Sequence, residues 1–164
     1  MKTLSVLGGG LAGAVAVSLI HESVRQVVPQ APRMDLLGMN AISKGLDKAG
    51  MSQPGHKSLY SMALVGDILS NSLYYSLAGI GNEKNLWVRS SVLGLAAGVG
   101  AVLLPGPMGL EERHSNRTLT TKLMTVGLYV TGALVTAAVI KLLNKKKQKR
   151  EEVWEERLLT SAIS

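Results

Sequence analysis

The chain has 164 residues, of which 46% are hydrophobic, and a formal net charge of +7 at pH 7. It contains no cysteine, which excludes disulfide bonds, thiolate metal ligands and a cysteine nucleophile. The mean hydropathy is positive, at +0.22, and apolar segments account for it.

Four segments of the chain are long and apolar enough to cross a bilayer. They cover residues 3–20, 58–80, 90–110 and 123–140. A hydrocarbon core about 30 Å thick requires about 20 apolar residues in a helix. The segments lack the polar stripes of period 3.6 that a water-soluble four-helix bundle needs. The sequence therefore predicts an all-α membrane protein, with a bundle of four transmembrane helices within residues 1–144.

Glycines in the first segment allow two interpretations. Residues 6–13 fit the G-x-G-x-x-G pattern of a dinucleotide-binding turn, but too short a strand precedes them and no alternation of strands and helices follows. We therefore predict no cofactor. Gly9 and Gly13 also have the spacing G-x-x-x-G, which Gly94 and Gly98 repeat in the third segment. This spacing predicts close helix contacts in a membrane, either within the bundle or between protomers.

Polar residues follow the first segment, beginning with His21 and Glu22. Pro32 is then placed to open a helix over about residues 33–49, with its apolar residues on one side. This pattern predicts an interfacial amphipathic helix, which is either a lid over a polar cavity or a simple connector. If this part of the chain folds over the bundle, His21 and Glu22 approach the second segment as a candidate acid and base.

The second segment contains a carboxylate, Asp67, near its middle. Insertion scales give a central aspartate a cost of roughly 2.5 to 3.5 kcal/mol, so such residues usually face other helices or a polar cavity. Ser70, Asn71 and Tyr74 lie close to the same helix face. These four residues are the predicted polar intramembrane site.

Asp67 also has a purely structural interpretation. In that case it is protonated, or its carboxyl is hydrogen-bonded to Asn71 and to a threonine of the fourth segment, and it only holds helices together. The candidate threonines are Thr125, Thr131 and Thr136.

Residues 145–164 form a tail that is first basic and then acidic. Its basic cluster consists of Lys145, Lys146, Lys147, Lys149 and Arg150. Basic residues favour the cytoplasmic side, and an even number of spans then places the N-terminus on the same side. Beside a membrane these residues are expected to bind lipid headgroups, at about 1 kcal/mol each. Nucleic acid is not a predicted partner, because no aromatic residues are interleaved with the basic ones.

The sequence has no recognised catalytic or metal-binding signature, and we predict no metal site. The leading hypothesis is a small protein of the inner or plasma membrane that works by helix association, with membrane lipids and other copies or subunits as partners. It would serve as an accessory subunit, or as an oligomeric carrier or pore with Asp67 on its polar path. The alternative is a membrane-embedded enzyme that acts on a lipid or isoprenoid through His21, Glu22 or Asp67.

Overall fold

The structure is a computed structural model that describes the backbone of residues 3–163 and the side chains of residues 3–146 and 148–154. This part of the chain is helical, without a β-strand. The helices are α1 (Thr3–Val27), α2 (Met34–Lys48), α3 (His56–Ser76), α4 (Leu86–Leu103), α5 (Arg113–Asn116) and α6 (Leu119–Ile163). Two short 3-10 helices, Leu77–Gly79 and Glu83–Asn85, connect α3 to α4.

Three helical stretches of the described residues are long and apolar enough to cross a membrane. They are Thr3–Val27, Glu83–Leu103 and Leu119–Trp154. The second predicted span is also helical, as α3, but it is not one of the three. The polar residues of α3, Asp67 and Asn71 among them, lower its hydropathy. Its status as a span therefore stays a prediction, as does the position of α2 at the membrane surface.

The helices do not have the same bounds as the predicted spans. α1 continues past the first span to Val27, since residues 21–27 contain no proline or glycine. α4 ends at Leu103, before the predicted end at residue 110. Pro105 explains the early end of α4, since a proline cannot donate the backbone hydrogen bond that would continue the helix.

The long helices alternate in direction along the chain. α1 and α4 both pack along α6, and α3 packs on α1. In the α1–α3 pair, the hydroxyl of Ser76 donates to the carbonyl of Val6 at 3.4 Å, whereas that of Ser18 reaches Asp67 at 3.0 Å. Helices α3 and α4 make few contacts with each other. The four helices therefore form an open arc in the order α3, α1, α6, α4.

Glycines lie where the helices of this arc approach most closely. A methyl group at Gly13 would collide with the hydroxyl of Thr136 and the carbonyl of Gly132, both in α6. A methyl group at Gly98 would lie 2.6 Å from the Cα atom of Val126, also in α6. Gly9 and Gly94 face α6 in the same way. All four glycines of the two G-x-x-x-G spacings thus contact α6 of the same chain.

One end of the arc is covered by α2 and by the loop between α4 and α6. The backbone N–H of Arg33 donates to the carbonyl of His114 at 2.7 Å, and that of Glu111 donates to Oδ1 of Asn40 at 3.0 Å. α2 also packs on α3. The predicted amphipathic helix therefore lies across the end of the gap between α3 and α4.

The outer faces of the long helices are apolar. Exposed large hydrophobic residues on these helices include Leu19, Val65, Leu69, Leu73, Val92, Leu95, Leu103 and Leu123. A water-soluble monomer rarely exposes contiguous apolar surface on several elements at once. This surface is typical of helices that face lipid or other apolar partners.

Candidate functional site

A lateral groove separates α3 from α4 and has a volume of about 750 Å³. Most of its lining is apolar, with Leu37, Ile42, Ala97, Ala101 and Leu104 among the residues. Its polar residues include Asp67, Ser70, Asn71 and Tyr74, all on α3, and Tyr129 of α6 also lines it. The groove therefore combines a long apolar surface with a polar strip on one wall. The four residues of the predicted polar site all line it.

The carboxyl group of Asp67 is held by two hydrogen bonds. The hydroxyl of Ser18 donates to Oδ2 at 3.0 Å, and the amide of Asn71 donates to Oδ1 at 2.8 Å. Donors on both oxygens favour the ionised carboxylate, whereas an apolar environment favours the neutral acid. The bond from Ser18 also connects α3 to α1, so Asp67 contributes to helix packing as well as to the groove wall.

In the structural interpretation of Asp67, the hydrogen bond from Asn71 is present, but those from the threonines of the fourth segment are not among the hydrogen bonds of the described residues. Thr125 donates to the carbonyl of Thr121, and Thr131 and Thr136 likewise donate to carbonyls four residues earlier in α6. Threonine hydroxyls inside helices commonly donate a hydrogen bond to the carbonyl four residues earlier. Ser18 supplies the second donor instead. Its sequence signal was weak, since it is one isolated serine in an apolar helix.

The other polar residues of α3 have separate partners. The hydroxyl of Ser70 donates to the carbonyl of Gly66 at 2.7 Å and stays exposed. The hydroxyl of Tyr74 donates to the carbonyl of Leu93 at 3.0 Å and so bridges to α4. Sequence reasoning missed the neighbouring Tyr75, which is fully buried. Its hydroxyl donates to the carbonyl of Tyr129 at 2.9 Å.

His21 is buried beside Asp67, with 7% of its surface exposed. Its ring packs edge to face on that of Tyr129, with 5.7 Å between the ring centroids. Its Nε2 atom is buried and has no hydrogen-bond partner among the described residues. His21, Ser18 and Asp67 line one small cavity of about 40 Å³. The structure thus brings the candidate base of α1 and the carboxylate of α3 to the same cavity.

A cluster of charged residues closes the end of α1. Glu22 accepts from Nε of Arg25 at 2.8 Å and from the hydroxyl of Tyr60 at 3.1 Å. Arg25 also approaches Asp35 to 3.7 Å, and Asp35 accepts two hydrogen bonds from Arg33, the shorter at 2.8 Å. Glu22 is therefore committed to an ion pair at the edge of the cavity, and sequence reasoning had not identified this cluster.

The pKa of Asp35 is lowered in the folded protein. Burial alone raises it, but the hydrogen bonds and the positive charge of Arg33, together with the charge of Arg25, outweigh burial. A buried carboxylate that is paired in this way stays ionised. The cluster therefore fixes the first turn of α2 against α1 electrostatically.

The basic cluster lies on the C-terminal part of α6, which continues to Ile163. Lys146 and Arg150 line a surface depression of about 490 Å³ together with Leu4 and Trp154. Lys145 and Lys149 are exposed, and the side chain of Lys147 lies outside the described residues. Basic groups beside exposed apolar ones are typical of surfaces next to lipid headgroups. Binding of headgroups by this cluster stays a prediction.

Within the described residues, no group of three or more His, Asp or Glu side chains is arranged to hold a metal ion. Comparison with known proteins adds nothing on function, because no family model, curated protein or solved structure matches the chain. The geometry of the groove and of the polar cluster therefore supplies the functional argument.

Proposed function

We propose that the chain is an integral membrane protein of four spanning helices that binds an amphipathic, lipid-like molecule in the groove between α3 and α4. It acts as a small carrier, or as the lipid-binding subunit of a larger membrane complex. The groove of about 750 Å³ carries this proposal. Its volume lies within the roughly 300 to 1,000 Å³ of known ligand pockets, and its lining is mostly apolar with a few polar groups, as in those pockets.

The proposal requires α3 to cross the membrane, in addition to the three helical stretches described above. α3 lies antiparallel to α1 and extends over 21 residues, which corresponds to about 32 Å of helix. Among its polar residues, Asp67, Asn71 and Tyr74 line the groove, while the apolar Val65, Leu69 and Leu73 are exposed. Hydrogen bonds to Asp67 within the bundle reduce the cost of placing this residue in a membrane.

The proposed orientation follows from the basic tail. Residues 145–150 carry five Lys or Arg side chains, which favours a cytoplasmic position for this end of α6. Four spans then place the N-terminus on the cytoplasmic side as well. The covered end of the groove, with α2, lies on the other side of the membrane.

The ligand has an apolar chain and a polar group that can donate a hydrogen bond. The chain occupies the apolar length of the groove, and a hydroxyl or amino group of the ligand reaches Asp67 or Ser70. A groove open to the side admits such a molecule directly from the bilayer, without passage through water. Phospholipids, acylglycerols and isoprenoid alcohols all have this general chemistry.

The glycine contacts favour a carrier over an oligomeric pore. Gly9, Gly13, Gly94 and Gly98 are all used against α6 of the same chain. They are therefore not free to form an interface with a second copy. A membrane-embedded enzyme acting on a lipid or isoprenoid is the second candidate, favoured by the cavity that His21 and Asp67 share.

Native mass spectrometry in mild detergent tests the groove. Gly66 lines it, and a Cβ atom there has open space around it, so the substitution Gly66→Trp fills the groove. Gly127→Trp is the matched control, because Gly127 also has open space but lies outside the groove. We expect retained lipid with the parent and with Gly127→Trp, and loss of that lipid with Gly66→Trp. Equal retention by both variants would contradict the proposal. A larger particle of several different chains would favour the subunit form.

A further inference from the structure

The groove between α3 and α4 is apolar at one end and polar along part of α3. At the end that α2 covers, every lining residue that comes from α2 or from the loop after α4 is apolar or glycine. On α3 the lining begins with Ala63, whose Cβ atom would lie 3.2 Å from a Cβ atom added at Gly38 of α2. The polar residues of α3 follow, from Asp67 to Tyr74. An amphipathic ligand in this groove therefore places its apolar chain toward α2 and its polar group beside the polar residues of α3.

The groove carries charge of one sign. Asp67 contributes a carboxylate to the lining, and among the described residues no Lys, Arg or His lines the groove. Asp67 is also absent from the ion pairs of the described residues. A phosphate or carboxylate headgroup would therefore meet a like charge in the groove and no cation to pair with.

Asp67 can accept more hydrogen bonds than the chain gives it. Its two oxygens accept one bond each, from Ser18 and Asn71, whereas an ionised carboxylate has about four acceptor sites. The residue is partly exposed and lines the groove. Ser70 is exposed beside it, and its oxygen can also accept, because its hydroxyl is the donor in its bonds to the backbone. An ammonium group, with three N–H donors, matches these acceptors.

The surroundings of Asp67 favour a ligand with a positive charge. A charge within a membrane is costly, and buried charges in proteins are usually paired. Asp67 has two hydrogen bonds but no cation among the described residues, so a cationic ligand supplies what the chain does not. A hydroxyl group would donate to the carboxylate without compensating its charge.

We propose that the groove binds a long-chain amine, whose ammonium group pairs with Asp67 and whose apolar chain extends toward α2. This inference rests on the proposed function and names the headgroup that the groove selects. A long-chain alcohol of the same length binds less tightly, because it lacks the positive charge. A long-chain phosphate is rejected, because it has the same sign of charge as the lining.

Three amphiphiles with the same chain test the headgroup: hexadecylamine, hexadecanol and hexadecyl phosphate. They are added at equal concentration to the delipidated full chain in mild detergent, and native mass spectrometry measures the bound fraction of each. We expect the parent to retain the amine over the alcohol by about tenfold or more, as for other close charge pairs, and to retain no phosphate. Equal retention of the amine and the alcohol, or preferred retention of the phosphate, would overturn the proposal.

The substitution Asp67→Asn removes the charge and keeps the size of the side chain. We expect this variant to retain the amine and the alcohol equally. Asp47→Asn is the matched control, because it makes the same change at a carboxylate of α2 that accepts from Gln53 at the exposed surface and does not line the groove. It should keep the preference of the parent. A preference for the amine that persists in Asp67→Asn would contradict the assignment, and if that variant does not fold, the comparison of the three amphiphiles on the parent decides.

The variant Gly66→Trp separates this inference from the proposed function. With the groove filled, we expect the loss of every amphiphile that the parent retains. If Gly66→Trp retains them as the parent does, they bind elsewhere, and the proposed function fails together with this inference. If Gly66→Trp loses them but the parent shows no preference for the amine, the groove stands and only the headgroup assignment fails.

Discussion

The two sides of the helical arc differ in how closely their helices approach. On one side, α1 and α4 pack on α6 at glycine residues. A methyl group added at these glycines would collide with backbone or side-chain atoms. On the other side, α3 and α4 make few contacts and leave a groove. In a membrane the hydrophobic effect does not drive helices together, so helix association depends on close packing. The position of the glycines thus decides which helix pairs are tight and where space remains.

The tight side should be the most sensitive to a single methyl group. Gly13→Ala places a methyl group against Thr136 and the backbone of Gly132, so α1 and α6 must separate or shift. We expect a loss of stability of about 1 to 3 kcal/mol, as for other overpacked sites. Gly127→Ala, on an open face of α6, is the control and should not be destabilised, since alanine has the higher helix propensity. Thermal unfolding in detergent, followed by circular dichroism, measures both. Equal unfolding midpoints for Gly13→Ala and Gly127→Ala would contradict the conclusion that the helices pack more closely at Gly13 than on the open face.

A buried hydrogen bond should have the next largest effect. Tyr75→Phe removes the hydroxyl that donates to the carbonyl of Tyr129, between α3 and α6. We expect a loss of about 1 kcal/mol, the usual net value of such a bond. Tyr60→Phe is the comparison, because Tyr60 lies at the partly exposed ion cluster. Chemical unfolding of both variants should give the larger loss for Tyr75→Phe, and the reverse order would contradict the assigned roles.

The ion cluster should add a pH-dependent contribution to stability. The pKa of Asp35 is lower in the folded protein than its ordinary value of 3.8. The stability that it adds is therefore fully present above that ordinary value and is lost as the pH falls through the lower folded value. We expect Asp35→Asn to flatten the acid side of the profile of unfolding temperature against pH, and to cost at most about 1 kcal/mol at neutral pH.

Glu111→Gln is the control for this acid effect. Its carboxylate is paired with Arg113 at an exposed position. The acid side of its profile should stay close to that of the parent. A parent-like profile for Asp35→Asn would show that the cluster adds no pH-dependent stability.

The groove wall should tolerate small additions. Gly66→Ala adds a methyl group to open space on α3 and raises helix propensity. We expect a change within about 0.5 kcal/mol, in contrast to Gly13→Ala. A loss as large as that of Gly13→Ala, measured by the same thermal unfolding, would mean that the groove closes in solution.

The sequence predicted the helices better than their arrangement. Apolar segments of sufficient length located the long helices, and proline and polar residues placed α2. The glycine spacing predicted close contacts but left the partner open, since G-x-x-x-G has the same form within a chain and between chains. The groove was not predictable, because it results from a pair of helices that make few contacts with each other.

The candidate site was predicted in part. The helical period placed Asp67, Ser70, Asn71 and Tyr74 near one face, and the structure places all four along the groove. The approach of His21 to Asp67 depended on how the first loop folds, which sequence spacing does not specify. Ser18 and Tyr75 were missed, because one hydroxyl in an apolar helix gives no sign of its partner in another helix.

In the proposed topology, α3 spans the membrane and places Asp67 within it. Since the chain has no cysteine, Met51→Cys and Lys84→Cys each introduce a unique thiol, one before α3 and one after it. Both positions are exposed. We expect a membrane-impermeant thiol reagent to label Met51→Cys in intact cells, and Lys84→Cys only in inverted membrane vesicles. Labelling of both thiols from the same face of the membrane would contradict the claim.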